Sequence, residues 1–240
     1  MDVPMEMQNQ VMGYDRAATM FSPDGHLLQV EYAEKTIRLG SASIGIACKD
    51  GVVIIADRRI RDKLIVDRSA NKISEIDEHI IASSAGILSD ARILVERAQL
   101  IAQQHRVTYG EGIDVESVMK DIANMKQTFT QYGGVRPFGI SILIAGISGT
   151  KPKLFVSDVT GNYFEYRAGA IGENDEKIRE MLREEHKEDM NVEDGIKLAI
   201  KIFKKILGKN FEVDRFDVAY VSVKDKKLKR MNEGELRKYK

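Results

Sequence analysis

Ser41-Ala42-Ser43-Ile44-Gly45-Ile46-Ala47-Cys48-Lys49-Asp50-Gly51-Val52-Val53-Ile54-Ile55-Ala56 is the stretch on which the fold turns. Ile44, Ile46 and Cys48 alternate with small residues, the period-two pattern of a strand, whereas Val52 to Ala56 is a continuous apolar run of the kind buried on both faces. Asp50-Gly51 between them supplies the pair a tight hairpin favours, so two antiparallel neighbours are expected.

Upstream, Ser22-Pro23-Asp24-Gly25 carries the preferences of a type I turn, because proline presets φ and glycine relieves crowding at the exit. From about His26 to Arg38, Leu27, Val30 and Ile37 recur at helical spacing. Gly40 stands close to where a left-handed cap would end that helix. Its apolar stripe, lying outside any sandwich, is expected to need a second subunit to cover it. The first dozen residues, with Met5, Met7, Gln8, Asn9 and Gln10, show no period and are expected to form a mobile arm.

Downstream, further strands are expected near His79 to Ser83, Ile140 to Ile147, Leu154 to Ser157, Tyr163 to Arg167 and Val218 to Val223. Between them run amphipathic helices. One covers Asp90 to Gln104, with Ile93, Leu94, Ala98, Ile101 and Ala102 on a face, and the next follows Asp114, with Val115, Val118, Met119, Ile122 and Met125. A later pair covers about Asp175 to His186 and Val192 to Leu207, the second opened by Asn191 with Asp194 three residues on, as in a capping box. Helices in adjacent pairs and strands in hairpins imply helix layers over antiparallel sheets rather than a βαβ array.

Lys+Arg and Asp+Glu are equal at 37 each in 240 residues, so no field of one sign attracts phosphate backbones or anionic lipid. The basic stretch Lys224, Lys226, Lys227, Lys229, Arg230, Arg237, Lys238 and Lys240 is diluted by Asp225, Glu233 and Glu235 and reads as a solvated tail. The single cysteine, Cys48, lies in an apolar run and fits a reducing cytosol. No apolar run approaches the ~20 residues that span a bilayer, and Met1-Asp2-Val3-Pro4 lacks the features of a signal peptide. Gly146-Ile147-Ser148-Gly149-Thr150-Lys151 lacks phosphate-loop spacing and reads as a turn between strands. His26, His79, His105 and His186 show no metal-ligand spacing, and no Gly-x-Ser-x-Gly elbow occurs.

A series of blocks falls in one order along the chain: Tyr14-Asp15-Arg16, Phe21-Ser22-Pro23-Asp24-Gly25, Gln29-Val30-Glu31-Tyr32-Ala33, Gly40-Ser41-Ala42-Ser43-Ile44-Gly45, Ala56-Asp57-Arg58-Arg59, Lys72, Asp90-Ala91-Arg92 and Tyr132-Gly133-Gly134-Val135-Arg136-Pro137-Phe138-Gly139. The series resembles the proteasome α-subunits, especially the archaeal ones. The resemblance implies an α+β fold, a four-layer αββα sandwich of the N-terminal-nucleophile hydrolase type preceded by an N-terminal helix. Residues 1–40 would then be a gating arm, turn and ring-contact helix, and residues 41–240 the sandwich. It further implies a cytoplasmic, non-catalytic subunit of the proteasome core particle. In that particle a seven-membered outer ring of α-subunits gates the passage of unfolded proteins, docks a regulatory AAA ATPase and templates β-subunit assembly. No cofactor, metal, nucleic acid or membrane is implied.

The resemblance also assigns residues. Tyr14, Asp15, Arg16, Pro23 and Tyr32 match the cluster that steadies the gate, and Tyr132, Gly133 and Gly134 match the annulus below it. Leu27, Glu31, Gly40 and Lys72 match the pocket between neighbouring subunits that receives the C-terminus of the ATPase, where an ammonium in a partly dry cleft attracts a terminal carboxylate. Lys72 is not expected to be a core residue. Ser41, Asp57 and Lys72 stand at the positions of the nucleophile, acid and lysine of the catalytic relatives, but forty residues precede Ser41 and its nitrogen is an amide. Asp57 then reads as a structural hydrogen-bonding residue after a buried strand. The chain departs from the archaeal pattern at Ser84 to Arg92, at His26 where arginine is usual, and at Glu173-Asn174 in place of Ser-Gly. Two other readings are a self-processed β-type peptidase, which must lose the segment through Gly40, and a stand-alone ring scaffold.

Overall fold

The computed structural model describes residues 12–59 and 64–239. The expected mobile arm lies almost wholly outside them. The 40–56 stretch forms β1 (Ser43–Cys48) and β2 (Gly51–Asp57), paired antiparallel with Ile44 opposite Ile55 and Cys48 opposite Gly51. The hairpin loop is therefore Lys49-Asp50, and Gly51 belongs to the strand. Asp50 orders the loop, since its Oδ1 accepts the amide of Val192 at 2.8 Å and its carbonyl that of Val223 at 2.8 Å.

Two five-stranded antiparallel sheets result. In the first, β1 and β2 lie between β8 (Ala168–Ile171) on one side and β9 (Phe216–Ser222) with β10 (Leu228–Arg230) on the other. The second runs β3 (Ile73–Asp77), β4 (Ile80–Gly86), β5 (Ile140–Ser148), β6 (Lys151–Ser157) and β7 (Tyr163–Glu165). Val52, Ile54 and Ala56 face Ile81, Leu143 and Leu154 between the sheets. Val53 and Ile55 point the other way, with Ile44 and Ile46, toward the helices. The continuous apolar run of β2 thus serves two cores, one on each face.

The helices follow the expected pairs. α1 (Leu28–Leu39) precedes β1; α2 (Leu88–Tyr109) and α3 (Val115–Gln131) cover the second sheet; α4 (Asp175–Glu185) and α5 (Val192–Leu207) cover the first. Asp114 caps α3 by accepting the Glu116 amide at 2.9 Å, and Asn191 caps α5 by accepting that of Asp194 at 2.9 Å. The fold is accordingly a four-layer αββα sandwich with a helix in front. Among the described residues no helix is long and apolar enough to cross a membrane.

Three expectations are corrected. The stripe on α1 is covered within the chain, because Val30 and Ala33 pack on Val159 and Ile37 joins the inter-sheet core. Gly40 does not take a left-handed cap: its φ is −71°. Glycine is required there by close approach, since a Cβ would lie 2.4 Å from the amide nitrogen of Gly86. The basic stretch is not simply a tail, because Leu228–Arg230 pairs with β9 and the Arg230 guanidinium binds Asp217 at 2.7 and 2.8 Å.

Candidate functional site

One end of the sandwich gathers the charged residues that flank its strands. Ser41 precedes β1, Asp57 ends β2, Lys72 precedes β3, and Arg215 and Asp217 bracket the start of β9. Asp217 Oδ2 accepts the backbone amides of Lys72 at 3.0 Å and Ile73 at 2.9 Å, which fixes the path of the chain into β3. Arg230 holds that carboxylate from the other side. Ser43 and Ser83 join the two sheets nearby, their hydroxyl oxygens 2.8 Å apart.

Lys72 reaches into this cluster rather than outward. Its Nζ donates to the Ser41 carbonyl, to Ser41 Oγ at 2.7 Å and to the Ala42 carbonyl at 3.3 Å, which occupies all three donors. Burial of the ammonium pulls its pKa down to about 7, against the attraction of Asp57 and with the repulsion of Arg59. The expectation that Lys72 lies outside the core is therefore corrected, although the residue as a whole is only partly buried.

Lysine and serine are the partners of a nucleophile and its base, yet two features withhold the rest of that chemistry. The nitrogen of Ser41 is bonded to Gly40, whose carbonyl accepts the amide of Glu173 at 2.8 Å. Asp57 is engaged elsewhere: Arg215 donates to its two oxygens at 2.8 and 2.6 Å, and the Arg59 amide donates at 3.1 Å. The structural part read into Asp57 from sequence matches this geometry. Arg215 and Asp217 went unnoticed in the sequence, where the only signal is two acids and an arginine around Phe216 at the mouth of an apolar strand.

The residues matched to a docking pocket fall into two groups. Leu27 and Glu31 stand at the start of α1, Glu31 Oε1 lying 2.5 Å from His26 Nδ1, whereas Gly40 and Lys72 lie beyond its far end. Glu31 and Gly40 are nine positions apart along the helix, ~13 Å, and Leu27 lies a turn further off. A single chain does not bring them together.

Of the residues matched to a gate, Tyr14–Arg16 form one 3₁₀ turn tied to α1 by Gln29, whose Nε2 donates to the Asp15 carbonyl at 2.5 Å. Asp15 Oδ1 is buried with no hydrogen-bond partner among the described residues. Pro23 sits in the turn closed by the Gly25 amide donating to the Ser22 carbonyl at 2.9 Å. Tyr32 is half-buried on α1, with the Lys35 ammonium 5.3 Å from its ring centre.

Tyr132, Gly133 and Gly134 follow the C-terminus of α3. Tyr132 is 65% exposed and Gly134 has a φ of +85°, so this loop projects from the body. Behind it, Arg136 grips Asp90 of α2 through two bonds of 2.6 and 2.7 Å, and this partner holds the Asp90 carboxyl below the usual carboxylate range. At Glu173-Asn174, where the archaeal pattern has Ser-Gly, Asn174 adopts φ +60°, a conformation asparagine tolerates better than most residues.

Comparison with known proteins finds relatives along nearly the whole chain. A family model described as proteasome subunit matches residues 37–221, and a second, the N-terminal signature of A-type proteasome subunits, matches residues 14–35. The proteasome α-subunit of Methanocaldococcus jannaschii is 46% identical over 94% of this chain and 86% of its own length. That of Methanosarcina acetivorans is 45% identical over 95% of this chain and 92% of its own length. That of Thermococcus sibiricus is 46% identical over 94% and 86%.

Proposed function

This chain belongs to the proteasome family as an α-type subunit, and we propose that it acts as the gate and docking platform of the core particle without catalysing hydrolysis itself. The observation that carries the proposal is the engagement of the segment before Ser41, with α1 packed across β4 and β5 and the Gly40 carbonyl accepting the Glu173 amide, together with the capture of Asp57 by Arg215. A nucleophile of this class needs a free α-amine, which Ser41 lacks as long as it stays bonded to Gly40. Residues 1–40 serve gating and ring contact, and residues 41–240 form the body. Seven copies, or seven related subunits, make an outer ring on a β-subunit ring in the cytoplasm.

Since the apolar stripe of α1 is already covered, ring contacts fall to its outward face, where Lys35, Arg38 and Leu39 are exposed. The division of the docking residues between the two ends of α1 favours a pocket completed by a neighbouring subunit. One copy would give Leu27 and Glu31, and the next would give Gly40 and Lys72. Tyr14, Asp15, Arg16, Pro23 and Tyr32 steady the open gate, and Tyr132, Gly133 and Gly134 line the passage beneath it.

The test combines three measurements. Intact mass after expression should retain the residues before Ser41; loss of the segment through Gly40 would identify a self-processed peptidase. Mixing with a β-subunit should give a barrel on size exclusion, and failure to do so would leave a stand-alone ring. Deleting the residues before Tyr14 should let particles containing active β-subunits degrade unfolded casein without an ATPase. Unchanged hydrolysis would show that this segment is not the barrier.

A further inference from the structure

A cleft of about 470 Å³ lies between α4 and the strands β7 and β8, lined by Tyr166, Arg167, Arg179, Leu182, Arg183 and His186, together with Glu165 and Glu188. Both carboxylates are neutralised. Glu165 is paired with Lys153 at 2.6 Å, and Glu188 with Arg167 at 2.5 Å. Arg183 has no acidic partner among the described residues. Arg179 donates to Asp175 through Nη2, yet its Nε is buried without a hydrogen-bond partner, and so is Nε2 of His186. Two enclosed ring or guanidinium nitrogens without partners in one cleft are uncommon in native structures, where such groups are nearly always satisfied.

The electrostatics agree with the geometry. Burial lowers the pKa of Arg179, with the nearby Arg183 and Arg38 adding to the effect and Tyr166 opposing it. Burial likewise lowers that of His186, with Arg167 adding and Glu188 opposing. Cations crowd one another here, and an anion would relieve them. The C-terminal end of α4 carries roughly half a negative charge, which the guanidinium groups outweigh.

We propose that this cleft binds a small phosphoryl oxyanion, whose charge is met by Arg183 and by the guanidinium of Arg179, the enclosed Arg179 Nε and His186 Nε2 becoming donors to its oxygens once those side chains turn into the cleft. A tetrahedral phosphoryl group offers acceptors on several sides and suits guanidinium donors, whereas a carboxylate presents only two oxygens in one plane. The volume leaves room for a second phosphoryl unit. The site uses none of the residues assigned to the gate or to docking, so it stands independently of that reading.

The experiment is equilibrium dialysis of inorganic pyrophosphate against the full chain at low salt, alone and assembled with β-subunits, with orthophosphate and acetate as further arms. Saturable binding of one pyrophosphate per chain is expected, weaker binding of orthophosphate, and none of acetate. Arg183→Gln should weaken binding at least tenfold and Arg183→Lys less; both should leave the unfolding midpoint in place because Arg183 is exposed. Absence of saturable binding, or equal binding by wild type and an Arg179→Gln/Arg183→Gln variant, overturns the proposal. Binding that disappears on assembly overturns it too, since the cleft would then be covered by a neighbouring subunit.

Discussion

Both oxygens of the Asp57 carboxylate are held by the guanidinium of Arg215, at 2.8 and 2.6 Å, in a site where the two side chains are only 3% and 13% exposed. The acid that would polarise a catalytic lysine is thereby committed to bracing β2 against the entrance to β9. Lys72 is left to bind Ser41 and Ala42, which ties the entrance of β3 to that of β1.

Arg215→Ala should destabilise the chain by about 3–5 kcal/mol, because it leaves a buried carboxylate without its partner. Replacing both residues, Asp57→Leu with Arg215→Met, should recover most of that loss. Denaturant unfolding of the three proteins checks this; a loss near zero for the single variant would mean that water satisfies Asp57.

Lys126 of α3 is fully buried and donates only to Ser157, at 3.3 Å to its carbonyl and 3.2 Å to its hydroxyl, and burial lowers its pKa to about 7. Lys72 shifts in the same direction. A lysine of ordinary pKa 10.5 when unfolded and about 7 when folded binds more protons in the unfolded chain between those values. Stability should therefore rise as pH increases from ~7 toward ~10, by at most ~1.4 kcal/mol per pH unit for each such lysine. Lys126→Met should flatten the slope and stabilise the protein at pH 7 and below by about 1 kcal/mol or more, since Ser141 Oγ still donates to the Ser157 carbonyl at 3.0 Å. Unfolding curves at pH 6, 7 and 9 decide it, and an unchanged slope would count against a neutral buried amine.

Gly40→Ala should cost about 1–3 kcal/mol, because the new methyl would meet backbone atoms of Gly86 rather than a flexible side chain. The expected signature is a lower unfolding midpoint with increased protease cleavage between α1 and β1. A variant as stable as wild type would show that the approach to Gly86 relaxes freely.

If a peptide ending in the C-terminal residues of the ATPase docks by displacing the Ala42 carbonyl, the longest of the three Lys72 contacts at 3.3 Å, Lys72→Ala should weaken docking by about ten- to a hundredfold per site, the loss of one charge-assisted contact. Because Lys72 also ties the Ser41 and Ala42 carbonyls, stability should fall by about 1–3 kcal/mol as well. In wild type, docking should weaken as pH rises through about 7 and the ammonium loses its proton. Peptide-stimulated cleavage of a small substrate, measured across pH on both proteins, separates the effects. Equal, pH-independent stimulation would place the docking site elsewhere.

Local pattern along the chain is enough to specify the strands and helices whose periodicity is strong. The β1–β2 hairpin, the α2–α3 and α4–α5 pairs and the caps at Asp114 and Asn191 all follow from residues close in sequence and the hydrogen bonds they make. The same pattern does not reveal β3, β8 and β10, whose residues Ile73–Asp77, Ala168–Ile171 and Leu228–Arg230 are too polar, too small or too few to show a period. These edge strands take their conformation from the ladders of β4, β1 and β9 beside them. The family resemblance marks out Ser41, Asp57 and Lys72, but the partners of these residues are set only when the sheets close. Arg215 lies 158 positions from Asp57, and Asp217 lies 145 from Lys72. Spacing along the chain carries information about contacts within a turn or a hairpin; it carries none about which charge a buried carboxylate will meet once two sheets have closed over it.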